Sequence, residues 1–164
     1  MKKYNGAFDD VGVKGFFRLN IIDHKNGKSE VVGDSGWCQN QITNAGYSNF
    51  IIGPMVADAA SSVATAAALG TGTIPASNAT GLAGELVSAN ARFSLAKVVT
   101  GTKSAQWTGS LNSNVYQATA AINNVGLFAT NAITAGTICA GNTYATSTLQ
   151  TNQTVNLTYS ITFS

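Results

Sequence analysis

Hydrophobic and polar positions alternate without interruption near the end of the chain. In TVNLTYSITF, residues 154–163, every second side chain is large and apolar, and those between carry only hydroxyl or amide groups. This period of two is typical of a strand with one buried face. We predict a strand here whose other face is uncharged and weakly solvated, so a neighbouring copy is expected to cover it.

A second alternating region predicts a β-hairpin over residues 13–42. Large apolar residues precede and follow the turn sequence HKNGK, residues 24–28. Asn26 and Gly27 both tolerate positive φ, which two-residue hairpin turns require. Seven of the sixteen charged residues of the chain lie in this region. A solvated hairpin tip explains that cluster more simply than a charged docking site.

One helix is predicted after the hairpin. Thr43 is a suitable N-cap, because its hydroxyl can accept a hydrogen bond from an amide of the first turn. Apolar residues follow at helical spacing: Tyr47, Phe50, Ile51 and Met55. Pro54 removes a backbone donor and disfavours helical geometry at Gly53, so the helix should end or kink near Ile52.

The rest of the chain predicts short strands separated by Gly, Asn, Ser and Thr. Residues 63–69 suit a buried strand of small side chains, although the alanine-rich residues 57–68 could form a helix instead. Residues 80–91 are expected to be helical or extended, with Leu82 and Leu86 pointing inward. Further strands are predicted at 93–100, 104–111, 115–122, 124–129, 136–140 and 154–163.

This pattern predicts a mainly β protein: an antiparallel β-sandwich or jelly-roll-like domain with one or two short helices. A chain of 164 residues fits one domain, which we place at residues 13–164. Residues 1–12, with Tyr4 and Phe8, are predicted to form an arm that docks a neighbouring subunit. We expect neither a secretion signal nor a transmembrane helix, because polar residues interrupt each candidate apolar run.

Charge is scarce and unevenly distributed. Charged residues make up 10% of the chain, whereas globular proteins average about 25%. After residue 58 the only charged residues are Glu85, Arg92, Lys97 and Lys103. The net charge of +2 lacks the basic excess of a nucleic-acid-binding protein. An uncharged β-rich surface is prone to association, so we expect an oligomer or a larger assembly and no nucleic-acid or membrane partner.

The inventory of reactive groups does not predict an enzyme. His24 is the only histidine and lies in a predicted turn, which is a poor position for a catalytic base. Cys38 and Cys139 lack metal-ligand spacing, so buried free thiols are favoured over a disulfide or a zinc site. The glycines of ALGTGT, residues 68–73, complete no phosphate-binding motif and are better explained as a strand-to-loop transition. No cofactor or metal is expected.

Glu85 and Arg92 are the last acid of the chain and a nearby base. If the two face each other, a bidentate bond between carboxylate and guanidinium could fasten the loop around residue 85 to the sheet. We predict a structural ion pair here rather than a functional acid.

Five segments taken together resemble a family of small structural proteins of tailed bacteriophages. They are ITNAG (42–46), ALGTGT (68–73) followed by Pro75, LAGEL (82–86) with Arg92, NVGLF (124–128) and the closing TVNLTYSITF. The resemblance covers residues 42–164. The chain departs from the family pattern at Asn124, where an acid is expected. Its first 41 residues are outside the resemblance.

The resemblance implies a non-enzymatic, β-rich component of a virion. Such a protein is made in the host cytoplasm and assembles with copies of itself and with other virion proteins of the capsid, neck or tail. Decoration of the capsid exterior is the location we expect, followed by a role in the tail or in fibre attachment. The family has no catalytic residues to transfer to this chain.

A carbohydrate-binding or adhesin-type β-sandwich at a cell surface is the alternative. Trp37, Trp107 and Tyr144 could stack on sugar rings. For both tryptophans, packing in the core is the expected use.

Overall fold

The computed structural model describes residues 12–56, 62–86, 92–112, 120–133 and 136–164. The strands in chain order are β1 (Val13–Lys25), β2 (Lys28–Asp34), β3 (Cys38–Gln39), β4 (Gln41–Ile42), β5 (Ala66–Gly70), β6 (Phe93–Ser94), β7 (Ala96–Gly101), β8 (Ser104–Asn112), β9 (Ala120–Phe128), β10 (Ile138–Leu149) and β11 (Gln153–Phe163). A π-helix (Gly46–Ile52) and a single α-helical turn, α1 (Gly53–Met55), lie between β4 and β5.

Two antiparallel sheets pack against each other, which confirms the predicted β-sandwich. The first sheet has the order β2-β1-β11-β8-β7, with β3 also paired to β1. The second has the order β4-β10-β9-β5-β6. Apolar side chains from the facing surfaces of the two sheets form one main core.

The closing strand is β11, as its alternation predicts. It lies between β1 and β8 near the middle of the first sheet. Val155, Leu157, Tyr159 and Ile161 are buried in the core, while most of the intervening polar residues are half-buried on the opposite face.

The hairpin prediction is confirmed, because β1 and β2 pair across a two-residue turn. Asn26 and Gly27 adopt φ of 53° and 72°, the left-handed values that this kind of turn requires. After β2, the chain returns to β1 through β3. Trp37 precedes β3 and is 49% exposed, so the prediction that it packs in the core is wrong.

Thr43 begins the helical segment as predicted. Its Oγ1 accepts a hydrogen bond from the amide of Gly46 at 2.9 Å and donates one to the carbonyl of Ile138 at 2.7 Å. The helix type changes at Gly53, where the α-helical turn begins with Pro54 in its first positions. Because Gly53 keeps helical backbone angles, with φ −53° and ψ −49°, and the helical segment continues to Met55, the prediction that the helix ends near Ile52 is wrong.

Several predicted boundaries differ from the structure. The strand predicted at residues 63–69 is observed at 66–70, and the alternative helix falls partly on residues 57–61, outside the described residues. The segment at 80–86 contains turns and one bridge residue but no helix, and residues 87–91 are also outside. Instead of strands at 115–122 and 124–129, one strand runs from Ala120 to Phe128, after the undescribed residues 113–119. The strand predicted at 136–140 continues to Leu149.

Residues 71–86 form a covering loop on the outer face of the second sheet. Leu82 in this loop packs with Ala68, Phe128 and Ile138 in a second, smaller apolar cluster. Backbone hydrogen bonds fix the loop at both ends, for example from Thr71 to Gly84 and from Leu86 to Leu69. The second sheet is therefore covered on both faces, whereas the described residues leave the outer face of the first sheet open.

Candidate functional site

The structure brings Glu85 and Arg92 together in a bidentate ion pair. Arg92 Nε lies 2.7 Å from Glu85 Oε1, and its Nη2 lies 3.0 Å from Oε2. The guanidinium also donates to the carbonyl of Ala132 at 2.8 Å and lies 3.6 Å from the centroid of the Phe128 ring. Arg92 is only 6% exposed. Through these contacts, it fastens Glu85 of the covering loop to β9 and to the chain that follows β9.

Asn124 ties the middle of the covering loop to β9. Its side chain is fully buried, and its Nδ2 donates to the carbonyls of Thr73 and Ala83 at 3.2 and 2.9 Å. A carboxylate at this position would present oxygen to two carbonyl oxygens without a proton to share. The structure thus gives a physical reason for an amide at position 124.

The glycines of ALGTGT allow close approach of backbone segments. A Cβ at Gly72 would collide with the carbonyl oxygen of Ala83, and one at Gly70 would collide with the side chain of Asn124. The motif lies at the end of β5 and the start of the covering loop. This arrangement agrees with the strand-to-loop interpretation.

The groups with reactive potential are dispersed. His24 is exposed, with Ser29 Oγ and Thr154 Oγ1 each 2.9 Å from one of its ring nitrogens. Cys38 and Cys139 are both free thiols, as predicted, although Cys38 is only half-buried. Burial raises the pKa of Cys139 to about 12. Within the described ranges, no group of three or more potential metal ligands is found.

A cavity of about 200 Å³ opens between the sheets beside β2. Its walls combine aliphatic side chains with those of Asp34, Ser35, Cys38, Tyr144 and Ser147. The Ser35 hydroxyl accepts from the amide of Leu19 and donates to the carbonyl of Gly36, and the Tyr144 hydroxyl donates to the carbonyl of Asn124. The hydroxyls of Ser35 and Tyr144 are therefore engaged in hydrogen bonds within the fold.

The outer face of the first sheet carries rows of uncharged polar side chains. Residues that are paired across antiparallel strands share a face, and Thr158 lies opposite Thr108 while Asn156 lies opposite Ser110. Ser110 donates to Asn156 Oδ1 at 2.6 Å. Toward β2, this face bears an exposed bidentate pair of Arg18 and Asp34. The result is a broad polar surface with little net charge.

Both edges of the first sheet are exposed. Val31 and Val32 of β2 and Val98 and Val99 of β7 are all more than half exposed. Among the described strands, none pairs with the outer side of β2 or of β7. Such edges present unpaired backbone groups to any neighbouring chain.

A further apolar surface follows the π-helix. Ile52, Met55 and Val56 are exposed there, and Met55 is 79% exposed. The chain continues from this surface into residues 57–61, outside the described residues.

The predicted docking arm falls almost entirely outside the described residues. Tyr4 and Phe8 both lie in the undescribed range 1–11. At the first described position, the carbonyl of Gly12 accepts a hydrogen bond from the amide of Ser164 at 2.9 Å. The arm remains a prediction.

The three candidate stacking residues differ in accessibility. Trp107 is half-buried against the core, as predicted, and its Nε1 donates to the carbonyl of Ala64 at 3.1 Å. Tyr144 also packs against the core. Of the three, only Trp37 is exposed, to 49% of its surface. Sequence reasoning missed this because a lone Trp next to apolar residues usually indicates burial.

No family model matches this chain, and neither the curated proteins nor the solved structures provide a match. A search of the described residues finds no helix of sufficient length and apolar character to span a membrane.

Proposed function

We propose that this protein is a non-enzymatic structural subunit of a bacteriophage virion that decorates the capsid exterior. The observation that carries the proposal is the surface of the first sheet, where the rows of Thr, Ser and Asn side chains on β8 and β11, two strands without a charged residue, lie between two edge strands with exposed valines. The part of this surface formed by β8 and β11 is suited to burial against neighbouring subunits, because it has no charged side chain to desolvate.

The arrangement of the resembling segments supports the same proposal. ALGTGT continues β5, NVGLF lies in β9, and these two strands pair, with Leu69 opposite Val125. LAGEL belongs to the covering loop and carries Glu85, the partner of Arg92. Three of the five segments therefore lie side by side at the second sheet, whereas TVNLTYSITF forms β11 of the first sheet.

The test is the position of the chain in purified particles. Particles from the phage that encodes it should contain the protein by mass spectrometry, and antibody labelling should decorate the whole head. Labelling confined to one vertex or to the tail would instead support the neck, tail or fibre role. Absence of the chain from particles, despite its presence in the infected lysate, would refute a virion function.

The proposed arm is tested by a truncation that begins at Val13. If residues 1–12 dock a neighbouring subunit, the truncated protein should fold but occupy fewer sites on the particle. Normal occupancy would show that the arm is dispensable. The thermal unfolding of the truncated chain provides the control for folding.

A carbohydrate-binding module is the second candidate, and the exposed ring of Trp37 favours it. An exposed indole provides a flat apolar surface on which a sugar ring can stack. Glycan-array binding that is abolished by Trp37→Ala, but retained by Val31→Ala, would support this function. An inert but multimeric protein would favour the structural role.

A further inference from the structure

Strand β7 forms an edge of the first sheet with little protection. All six of its residues are exposed, and it pairs with β8 on one side only among the described strands. Val98 is 56% exposed and Val99 is 78% exposed. Lys97 is its single charged residue.

The opposite edge, β2, is protected against pairing. It carries Lys28, Glu30 and Asp34, and a register shift between Ile21 and Ile22 of β1 places a bulge within it at Val32. Charges and bulges are common means of preventing edge-to-edge association. The register shift of β7 lies at the end of the strand, between Val99 and Gly101, so most of β7 remains regular.

Strand directions determine how two copies could join. Every neighbouring pair in the order β2-β1-β11-β8-β7 is antiparallel, so β2 and β7 run in the same direction. Joining β7 of one copy to β2 of the next in a continued sheet would therefore give a parallel pair. Two β7 strands related by a two-fold axis normal to the sheet would instead be antiparallel, which is the more stable arrangement.

The register of such a pair follows from the faces of the strand. A two-fold axis normal to the sheet keeps each residue on its own face, and directly opposed residues must share a face. The axis therefore passes midway between the two copies of a single residue. For a register centred on β7, that residue is Val98 or Val99. In the Val98 register, Lys97 lies opposite Val99 of the second copy; in the Val99 register, regular pairing stops at the register shift after Val99. The two lysines are offset along the strands in both registers, so they do not oppose each other.

We propose that β7 is the self-association edge of this protein and pairs antiparallel with β7 of a second copy. The two first sheets then form one continuous sheet across the dimer. Association ends at two copies along this direction, because the outer edges of the joined sheet are the protected β2 strands. This inference goes beyond the virion role, since the pairing requires only the purified chain.

Cysteine cross-linking tests the geometry. Cross-strand cysteines on opposed residues of antiparallel strands approach within disulfide distance. In a Cys38→Ser background, Val98→Cys or Val99→Cys should give a disulfide-linked dimer under mild oxidation. Val31→Cys, on the other edge and similarly exposed, is the matched control and should remain largely monomeric on a non-reducing gel. Failure of both β7 variants, or equal cross-linking of the control, would overturn the proposal.

Sedimentation tests the same edge without cross-linking. The wild-type protein should sediment as a dimer, and the double variant Val98→Lys, Val99→Lys should shift it to a monomer, because four lysines would then be added to the pair. The double variant Val31→Lys, Val32→Lys should remain a dimer. A monomeric wild type, or a dimer that survives both substitutions in β7, would refute the pairing. These results do not depend on whether particles contain the protein. A failure of the β7 pairing can therefore be distinguished from a failure of the proposed virion role.

Discussion

Replacement of Arg92 by Met should strongly destabilise the protein by releasing the covering loop. The guanidinium is buried, makes both bonds to Glu85, donates to backbone carbonyls and lies over the ring of Phe128. Met fills much of the same volume but leaves the carboxylate of Glu85 without its partner, in a position where the side chain is 12% exposed. The loss is therefore mainly electrostatic.

Removal of one partner from a buried ion pair typically costs about 3–5 kcal/mol. For a domain of this size, each kcal/mol lowers the melting temperature by about 2–4 °C, so a decrease of about 6–20 °C is expected. The double variant Arg92→Met, Glu85→Leu should recover part of this loss, because it leaves no unpaired buried charge.

Urea and thermal unfolding of the single and double variants provide the measurement. Arg18→Met is the matched control: it also breaks a bidentate pair, but with side chains 40% and 37% exposed, so its loss of stability should be much smaller. The reasoning would be refuted if Arg92→Met cost no more than Arg18→Met, or if the double variant were as unstable as the sum of its single substitutions.

Three further measurements test the electrostatics of the structure. The hydrogen bonds from Arg18 lower the pKa of Asp34 to about 2. The stability that this pair contributes is therefore present above the ordinary Asp pKa of about 4 and is lost as the pH falls toward 2. An NMR titration of Asp34 should show a midpoint of about 2, and Arg18→Met should raise that midpoint. In the folded protein at pH 8 to 9, about the pKa of an ordinary thiol, a thiol reagent should modify Cys38 but not Cys139, whose pKa burial raises; equal labelling would contradict the buried position. Asn124→Asp should lower the free energy of unfolding by about 3 kcal/mol at neutral pH, with a smaller deficit in acid because protonation removes the buried charge; an unchanged urea midpoint would exclude the proposed donor role.

The sequence predicted those parts of the fold that local patterns encode. Alternation identified β11 and its inward face, because that strand packs one face against the core and presents the other to a different environment. The dipeptide Asn26-Gly27 located the hairpin through its backbone requirements alone. Thr43 was recognisable as a cap because a hydroxyl before an apolar helical pattern has few other uses.

The remaining differences arise from tertiary contacts. Residues 141–149 have few large apolar side chains, so the continuation of β10 depends on pairing with β9 rather than on its own pattern. The break predicted between strands 115–122 and 124–129 is absent, because Asn123 and Asn124 lie within β9 and Asn124 donates hydrogen bonds to the covering loop. Exposure of Trp37 likewise could not be predicted, because it depends on how the chain leaves β2.

The unequal coverage of the two sheets limits how this protein can diversify. Beneath the covering loop, all five residues of β5 are buried, and substituting larger side chains for its alanines or glycine would lift the loop or separate the sheets. The second sheet thus acts as a spacer of nearly fixed thickness. Variation among related chains would be tolerated chiefly on the hydroxyl-rich side of the other sheet, where side chains can change without altering the distance between layers.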